Sequence, residues 1–257
     1  MKWFLCANNV EYMRYGAAAI ATCPPDLEPI FLIDAPEDKE YLDKWVKWMI
    51  SKNVRLVFHR TSFEKQIRDF YDNNYPPGGT RVALGAFMRC DIPLICDQLG
   101  IKDEYVFYSD TDVLFINNNI NHILHESKPP FIAATVEHNP WDWNNFNSGV
   151  MVINVNGFKS LLPKIIDTIP KTKFPDVFDQ TVLNMVLANH QWSNLLIEYN
   201  WKPYWDLRPE WSKNEIVLVH FHGPKPFSSP DTLKHLRGPH WNYWSDMFFR
   251  ILDETGL

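Results

Sequence analysis

The feature of this sequence that most constrains its fold is the alternation of strand-like and helix-like segments in the first half. Short apolar runs cover residues 2–6, 29–34 and 54–59. The longer stretches that follow them predict helices over residues 10–23, 38–51 and 62–71. Strands that alternate with helices of about ten to fifteen residues form βαβ units and a mostly parallel sheet. The sequence therefore predicts an α/β fold in which helices flank a central sheet.

The rest of the chain continues this pattern less regularly. Helix signals cover residues 82–99, with an interruption at Pro93, then 158–168 and 178–189. Strand signals cover residues 105–109, 113–116, 131–136, 149–154 and 216–221. The run Pro76-Pro77-Gly78-Gly79 is the clearest break. Because a helix signal resumes directly after it, we interpret this run as a surface loop within one domain.

Composition and charge narrow the class of protein. Apolar residues make up 46% of the chain and charged residues 22%, which is the balance of a globular protein with a core and not of a disordered one. The formal net charge is −6, and there is no run rich in lysine and arginine. A nucleic-acid partner would leave a basic footprint, so we expect none. No apolar window reaches the roughly eighteen residues of a membrane span, so no transmembrane segment is expected.

The four cysteines and the N-terminus bear on the compartment. Cys6, Cys23, Cys90 and Cys96 are scattered and form no CxxC pair, which argues against a zinc ribbon or a thioredoxin-like site. Free thiols in a reducing compartment are the expected state, with two disulfides as the alternative. The apolar stretch at the N-terminus is too short for a signal peptide. A cytoplasmic location is therefore predicted, although a catalytic domain without its membrane anchor would have the same sequence features.

An acidic pair follows one of the predicted buried strands. Asp110 and Asp112 flank Thr111 directly after residues 105–109. Residues i and i+2 of an extended backbone point the same way, so the two carboxylates can share one hard cation such as Mg²⁺ or Mn²⁺. The ends of strands in an open α/β sheet are also where ligands bind. Alone, the triplet favours a solvated acidic turn that caps the strand.

Three further segments carry polar residues at positions where strands or helices begin or end. Asn147 and Ser148 precede Gly149 at the start of a strand, although a simple turn would use the same residues. Asp179-Gln180 opens an apolar helix, where capping is the alternative role. The segment HFHGPKP begins with His220 at the end of a strand, where a buried core histidine would be ordinary.

The order of these motifs resembles a known enzyme family. DTD, FNSG, DQ and HFHGPKP occur in the order typical of the retaining, GT-A-fold glycosyltransferases of the glycogenin and bacterial galactosyltransferase type, family 8. The segments MRCDIP and YVFYSDTD and the first strand agree with this family as well. The resemblance extends from Ala7 to Lys225 and implies one GT-A catalytic domain over residues 1–257. Its nucleotide-binding half would cover about 1–116 and its sugar- and acceptor-binding half about 117–257.

The resemblance also implies a role for each matching residue. Asp110, Asp112 and His220 would ligate a divalent cation, Mn²⁺ or Mg²⁺, with the imidazole neutral. The nucleotide would contact Ala7, Asn9, Tyr12, Arg89, Asp110, Gly223 and Lys225, with Tyr12 stacked on the base and Lys225 at the diphosphate. The donor sugar would contact Arg89, Asn147, Asp179 and Gln180. The last two of these would be the catalytic residues, with Gln180 nearest the anomeric carbon.

Two departures from the family pattern concern the nucleotide. The family usually has acidic residues after the first strand, whereas this chain has Asn8 and Asn9. Uracil is still the expected base. The family has two residues between the glycine and the lysine of its closing motif, and here only Pro224 lies between Gly223 and Lys225. We therefore expect Lys225 to approach the phosphates from a different angle.

The expected activity is transfer of a hexose or pentose from a nucleotide-diphosphate sugar to a saccharide or another hydroxyl acceptor, with divalent-metal dependence and retention at the anomeric carbon. An inverting transferase with Asp179 as the base is one alternative. A nucleotide-sugar hydrolase and a non-catalytic sugar-binding module are others. A nucleotidyltransferase would carry a basic, glycine-rich loop after the first strand, and residues 6–16 are not of that kind.

Overall fold

The computed structural model describes residues 1–34, 38–74, 78–123, 127–172, 178–189, 191–205, 215–238 and 240–257. Its strands are β1 (Lys2–Ala7), β2 (Glu28–Ile33), β3 (Arg55–Phe58), β4 (Tyr105–Ser109), β5 (Val113–Phe115), β6 (Ile132–Val136), β7 (Phe146–Asn154), β8 (Ser193–Asn194) and β9 (Leu218–His220). Its α-helices are α1 (Val10–Ala21), α2 (Lys39–Ser51), α3 (Glu64–Asn74), α4 (Gly79–Phe87), α5 (Ile92–Leu99), α6 (Val155–Thr168), α7 (Asp179–Val186) and α8 (Trp241–Thr255).

Within these ranges the strands form a seven-stranded central sheet and a two-stranded sheet. The central sheet has the order β3-β2-β1-β4-β7-β6-β8. Its neighbouring strands are parallel except that β7 runs antiparallel to both β4 and β6. The predicted mixed α/β sheet, mostly parallel and flanked by helices, is confirmed.

Helices cover both faces of the central sheet, and β1 shows why its sequence is apolar throughout. The side chains of Trp3 and Leu5 are fully buried in the core on one face, and Phe4 is fully buried in the core on the other. Alternate residues of a strand point to opposite faces, so a strand covered on both sides needs apolar residues at every position. Each large side chain buried in this way contributes about 1.5–3 kcal/mol to folding.

The two-stranded sheet connects the acidic pair to a distant part of the chain. Strand β5 pairs antiparallel with β9, and Val113 is opposite His220. The backbone N–H of Phe221 also donates a hydrogen bond of 2.9 Å to the carbonyl of Asp112. This pairing places His220 beside the acidic pair, although about a hundred residues separate them in sequence.

The predicted interruption of the helix over residues 82–99 falls at a different place. The break is a 3₁₀ turn at Met88–Asp91, and Pro93 lies in the first turn of α5, where its missing N–H leaves no bond unmade. The turn is held by Asp91, which is fully buried and accepts hydrogen bonds from His59 Nε2 (2.8 Å) and from the backbone N–H of Ser62 (2.9 Å). The position of the interruption at Pro93 was therefore wrong by a few residues.

The structure also bears on elements missing from the prediction, on the cysteines, on the proline- and glycine-rich run and on membrane segments. Two elements, α8 and the two-residue strand β8, were not predicted from the sequence. All four cysteines are free in the structure. Pro76 and Pro77 lie outside the described residues, while Gly78 has a φ of +94° just before α4 begins. Among the described residues, no helix combines the length and the apolar character that crossing a membrane requires.

Candidate metal centre and nucleotide cleft

Three potential metal ligands lie together where β4 ends and β9 ends. His220 Nε2 is 3.7 Å from Asp110 Oδ2 and 3.6 Å from Asp112 Oδ1. The connection between β4 and β5 supplies both carboxylates, and the pairing of β5 with β9 supplies the imidazole. The structure thus brings together the three residues for which the sequence predicted metal binding.

Two buried atoms of this group have no hydrogen-bond partner among the described residues. They are Asp112 Oδ1 and His220 Nε2. Both side chains are only 1% exposed, so water does not readily satisfy them, and an unpaired buried polar atom is costly. Burial also lowers the pKa of His220 well below its ordinary value, although the charge of Asp110 opposes this. A neutral imidazole and two carboxylates form a donor set that fits Mn²⁺ or Mg²⁺.

The other carboxylate oxygens of the pair are already held by neighbours. Asp110 Oδ1 accepts a hydrogen bond from the Tyr108 hydroxyl (2.6 Å) and forms an ion pair with the guanidinium of Arg89 (2.9 Å). Asp112 Oδ2 accepts one from the ammonium group of Lys225, which also donates to the carbonyl of Phe221 (3.1 Å). Each carboxylate is therefore oriented by one oxygen, while its other oxygen faces His220.

Arg89 connects the acidic pair to the start of α7. Its guanidinium lies 2.9 Å from Asp110 Oδ1 and 3.0 Å from Asp179 Oδ2, and it donates to the carbonyl of Ser148 (2.9 Å). It also lies over the ring of Tyr108, 4.9 Å from the centroid. An arginine with five fixed donors can hold several acceptors at once in this way. Tyr108 and Ser148 belong to the motifs YVFYSDTD and FNSG, but no role was predicted for either of them.

Asp179 is a buried carboxylate at the first position of α7. Its Oδ2 accepts a hydrogen bond from the Ser148 hydroxyl (3.0 Å) and forms an ion pair with Arg89 Nε (3.0 Å), whose N–H donates to the carbonyl of Ala86. Burial raises the pKa of Asp179, the charge of Arg89 lowers it, and the net direction is upward. The side chain is thus joined to the acidic pair through Arg89 and is not directed into open solvent.

Gln180 and Asn147 are hydrogen-bonded to each other beside Ser148. Gln180 Oε1 accepts hydrogen bonds from Asn147 Nδ2 (3.0 Å) and from the backbone N–H of Ser148 (3.0 Å). Asn147 Nδ2 also donates to Glu137 Oε2 (3.0 Å). Glu137 was not predicted from the sequence, because it lies in an irregular loop and no motif includes it.

Glu137 lies against His222, the second histidine of the closing motif. His222 Nε2 lies 2.9 Å from Glu137 Oε1, and its Nδ1 lies 2.9 Å from the Tyr204 hydroxyl. Burial alone would raise the pKa of Glu137, but the hydrogen bond and charge of His222 hold it well below its usual range. His222, to which the sequence assigned no role, is therefore fixed beside the group of residues predicted to bind the sugar.

A cleft opens between the end of β1, the start of α1 and the acidic pair. Seven of the residues for which a ligand role was predicted line it: Ala7, Asn9, Tyr12, Arg89, Asp110, Asp112 and Lys225. Gly223 is not among the lining residues; it forms the turn before Lys225 with a φ of +93°. Asn147, Asp179, Gln180 and His220 are not among the lining residues either.

The two asparagines that depart from the family pattern are both held in place within this cleft. Asn9 Oδ1 accepts a hydrogen bond of 2.9 Å from the backbone N–H of Tyr12 and so caps α1. Asn8 Nδ2 donates to the carbonyl of Arg81 (2.6 Å). A Cβ on Gly85 would come within 2.6 Å of the Asn8 amide, so the absence of a side chain at Gly85 makes this approach possible. The Asn8 oxygen in turn accepts a hydrogen bond of 3.4 Å from Asn9 Nδ2.

Comparisons with known proteins identify what this arrangement resembles. The family model described as glycosyl transferase family 8 matches residues 29–229. No curated protein sequence matches the chain. Solved structures that resemble it include the galactosyltransferase LgtC in complex with donor and acceptor sugar analogues, with a TM-score of 0.66 at 14% identity over 99% of this chain and 96% of that chain.

Two further structures extend the likeness. The glycosyltransferase GlyE of Streptococcus pneumoniae TIGR4 has a TM-score of 0.61 at 18% identity, over 98% of this chain, which spans 62% of the length of GlyE. Mouse xyloside xylosyltransferase 1 has a TM-score of 0.56 at 14% identity, over 85% of this chain and 96% of that chain. At these identities the likeness shows the fold, and the predicted GT-A fold is confirmed.

Proposed function

Because the chain belongs to glycosyl transferase family 8, we propose that it transfers a hexose or pentose from a UDP-sugar to a hydroxyl group of a saccharide or another acceptor. We further propose that the reaction depends on Mn²⁺ or Mg²⁺ and retains the anomeric configuration. The observation that carries this proposal is the convergence of Asp110, Asp112 and His220, with two buried ligand atoms left without a partner.

The proposed mechanism follows from the charge that develops as the bond to the diphosphate breaks. Negative charge grows on the leaving diphosphate, and positive charge grows on the anomeric carbon. A divalent cation held by Asp110, Asp112 and His220 would stabilise the leaving diphosphate as a Lewis acid. Lys225 lines the cleft beside Asp112, and we propose that its ammonium group contacts the diphosphate, together with the backbone at Gly223. Preorganised charge of this kind is often the largest catalytic term.

The donor would lie along the cleft, with its sugar toward α7. Tyr12 and the backbone of Ala7 and Asn9 would contact the base, which the Asn8 oxygen could recognise by accepting the N3–H of uracil. Arg89, Asn147, Asp179 and Gln180 would surround the sugar. Gln180 is held by two hydrogen bonds to its Oε1, which supports a fixed position for it near the anomeric carbon.

The surroundings of Asp179 favour retention over inversion. An inverting enzyme needs a carboxylate base that can reach the acceptor hydroxyl. The raised pKa of Asp179 would suit a base, but the side chain is 4% exposed, and its Oδ2 is already paired with the Arg89 guanidinium and accepts a hydrogen bond from Ser148. In the retaining route the acceptor attacks from the side of the leaving group, and a phosphate oxygen takes its proton.

A donor screen tests the activity directly. The protein is incubated with Mn²⁺ and a panel of UDP-, GDP- and dTDP-sugars, and nucleotide release is measured with and without saccharide acceptors. We expect release from a UDP-sugar that increases when an acceptor is present. Release that no acceptor increases would favour a nucleotide-sugar hydrolase. No release from any donor, despite nucleotide binding, would favour a non-catalytic sugar-binding module. The anomeric configuration of the product, read by NMR, distinguishes retention from inversion.

The site assignment is tested with Asp112→Asn. This change keeps the size of the side chain and its acceptor for Lys225 but removes the charge that a cation needs. We expect the fold to be retained by circular dichroism, and metal-dependent donor turnover to fall by at least about 100-fold, the scale on which charged groups act in such sites. Asp142→Asn, in an exposed loop, is the matched control. Unchanged turnover in Asp112→Asn would exclude the proposed metal site.

A further inference from the structure

The imidazole of His220 is held from behind by a buried asparagine that no sequence motif includes. His220 Nδ1 lies 2.9 Å from Asn200 Oδ1. Asn200 is fully buried, and it lies 20 residues before the histidine in a 3₁₀ turn at Ile197–Asn200. The other ring nitrogen, Nε2, faces the two aspartates. Which nitrogen carries the proton therefore depends on which end of the Asn200 amide faces the ring.

The orientation of the neighbouring Asn147 amide is fixed by partners that allow only one direction. Its nitrogen end faces Glu137 Oε2 at 3.0 Å, and an ionised carboxylate can only accept hydrogen bonds. Its oxygen end accepts from the backbone N–H of Gly149 at 3.2 Å, and a backbone N–H can only donate. Turning the amide over would place like groups against each other at both ends. Asn147 therefore presents its oxygen on the side of Asn200.

The direction of the Asn200 amide follows from that of Asn147. Asn200 Nδ2 donates to Asn147 Oδ1 at 3.0 Å. Its oxygen must then face His220, and an amide oxygen can only accept. The proton of the neutral ring consequently lies on Nδ1, and the lone pair of Nε2 points toward Asp110 and Asp112.

We propose that Asn200 is a positioning residue that fixes His220 as the Nδ1–H tautomer and so makes Nε2 available as a metal ligand. This inference rests on the metal-dependent function proposed above. Partners that fix the tautomer and the ring orientation of a ligating histidine are a recurrent feature of metal sites. The opposite tautomer would direct an N–H at the carboxylates and leave no lone pair for a cation.

Measurements of Mn²⁺ affinity without nucleotide test the role of Asn200. Asn200→Ala removes the acceptor for Nδ1–H, and we expect the affinity for Mn²⁺, followed by electron paramagnetic resonance of the free ion, to fall about 10- to 100-fold. The matched control is Asn154→Ala. Asn154 is the last residue of β7, at the end away from Asn147 and Gly149. Its side chain caps α6 and, like that of Asn200, makes two hydrogen bonds. We expect Asn154→Ala to lower stability but to leave Mn²⁺ affinity unchanged.

The ring itself provides a readout that a merely structural role would not change. In protein labelled with ¹⁵N-histidine and studied without metal, the ring of residue 220, assigned by comparison with His220→Ala, is expected to show Nδ1 protonated and Nε2 bare. In Asn200→Ala the preference for this tautomer should be lost. An Nε2–H ring in the wild type would overturn the proposal, even if Asn200→Ala failed to fold.

The two proposals fail in different ways. If the wild type binds Mn²⁺ and folded Asn200→Ala binds it equally well, the role of Asn200 is wrong and the metal site remains. If the wild type binds no Mn²⁺ or Mg²⁺, the metal site is wrong, and the positioning role falls with it.

Discussion

Gly149 occupies the point of β7 that is closest to the three potential metal ligands. A Cβ at this position would lie 2.2 Å from His220 Cε1 and 2.8 Å from Asp110 Oδ2. Real side chains do not approach so closely, so the imidazole and the carboxylate can meet only because residue 149 has no side chain. The glycine of the FNSG motif is thus explained by the space that His220 and Asp110 need, and not by a turn.

Gly149→Ala is therefore expected to separate His220 from Asp110. We expect Mn²⁺ affinity to fall on the order of 10-fold or more, and the free energy of unfolding to fall by about 1–3 kcal/mol through overpacking. Calorimetric titration and urea denaturation measure the two effects. Gly16→Ala is the control, because its Cβ would lie 2.5 Å from the ring of Phe31. It should lower stability alone, and an equal loss of Mn²⁺ affinity in both variants would contradict the steric role of Gly149.

At the scale of elements, α1 begins at the cleft and α2 does not, although a side-chain oxygen caps the N-terminus of both helices in the same way. Asn9 Oδ1 accepts from the backbone N–H of Tyr12, and Asp38 Oδ1 accepts from that of Tyr41, both at 2.9 Å. Asn9 lines the cleft, whereas Asp38 is exposed away from it. Comparing substitutions of Asn9 and Asp38 therefore separates the effect of a helix cap on stability from its effect on the proposed nucleotide site.

Asn9→Ala and Asp38→Ala are each expected to lower the free energy of unfolding by about 1 kcal/mol, which urea denaturation measures. Only Asn9→Ala should also weaken UDP binding in a calorimetric titration, because the first turn of α1 carries Tyr12 into the cleft. If Asp38→Ala weakened UDP binding to the same extent, the effect would be one of general stability and not of the cleft.

Elements whose signal is local could be predicted from the sequence, and those that depend on distant contacts could not. The strands that became β1, β2 and β4 are continuous apolar runs, and the acidic pair follows the last of them. Helix α8 was missed because aromatic residues are weak helix formers and its start has no side-chain cap. Its buried residues Trp241, Trp244, Phe248 and Leu252 nevertheless recur at helical spacing, so the signal was present.

The same distinction applies to the residues of the site. The three potential ligands belong to motifs that can be recognised in one dimension. Asn200 gives no such signal, because its partners Asn147 and His220 are 53 and 20 residues away and its neighbours in sequence are aromatic. The role of a hydrogen-bonded amide depends on which groups the fold places at its two ends, and a sequence does not contain that information.

For the whole molecule, the proposed metal centre joins the two halves into which the chain was divided. Asp110 and Asp112 belong to residues 1–116 and His220 to residues 117–257, and the contact between them depends on the short pairing of β5 with β9. The division itself stays a prediction, as does the cytoplasmic location. A cation bound by ligands from both halves would bind the folded chain and not the unfolded one, so it should stabilise the whole fold by mass action.

Mn²⁺ is therefore expected to raise the melting temperature in a concentration-dependent way. At a hundredfold excess over Kd the stabilisation is about 2.7 kcal/mol, and for a chain of this size each kcal/mol corresponds to about 2–4 °C. Differential scanning calorimetry at several Mn²⁺ concentrations measures the shift. His220→Ala should abolish it, since one ligand is lost, whereas His235→Ala, at an exposed position, should retain it. A shift that survives in His220→Ala would mean that the ion stabilises the fold from another place.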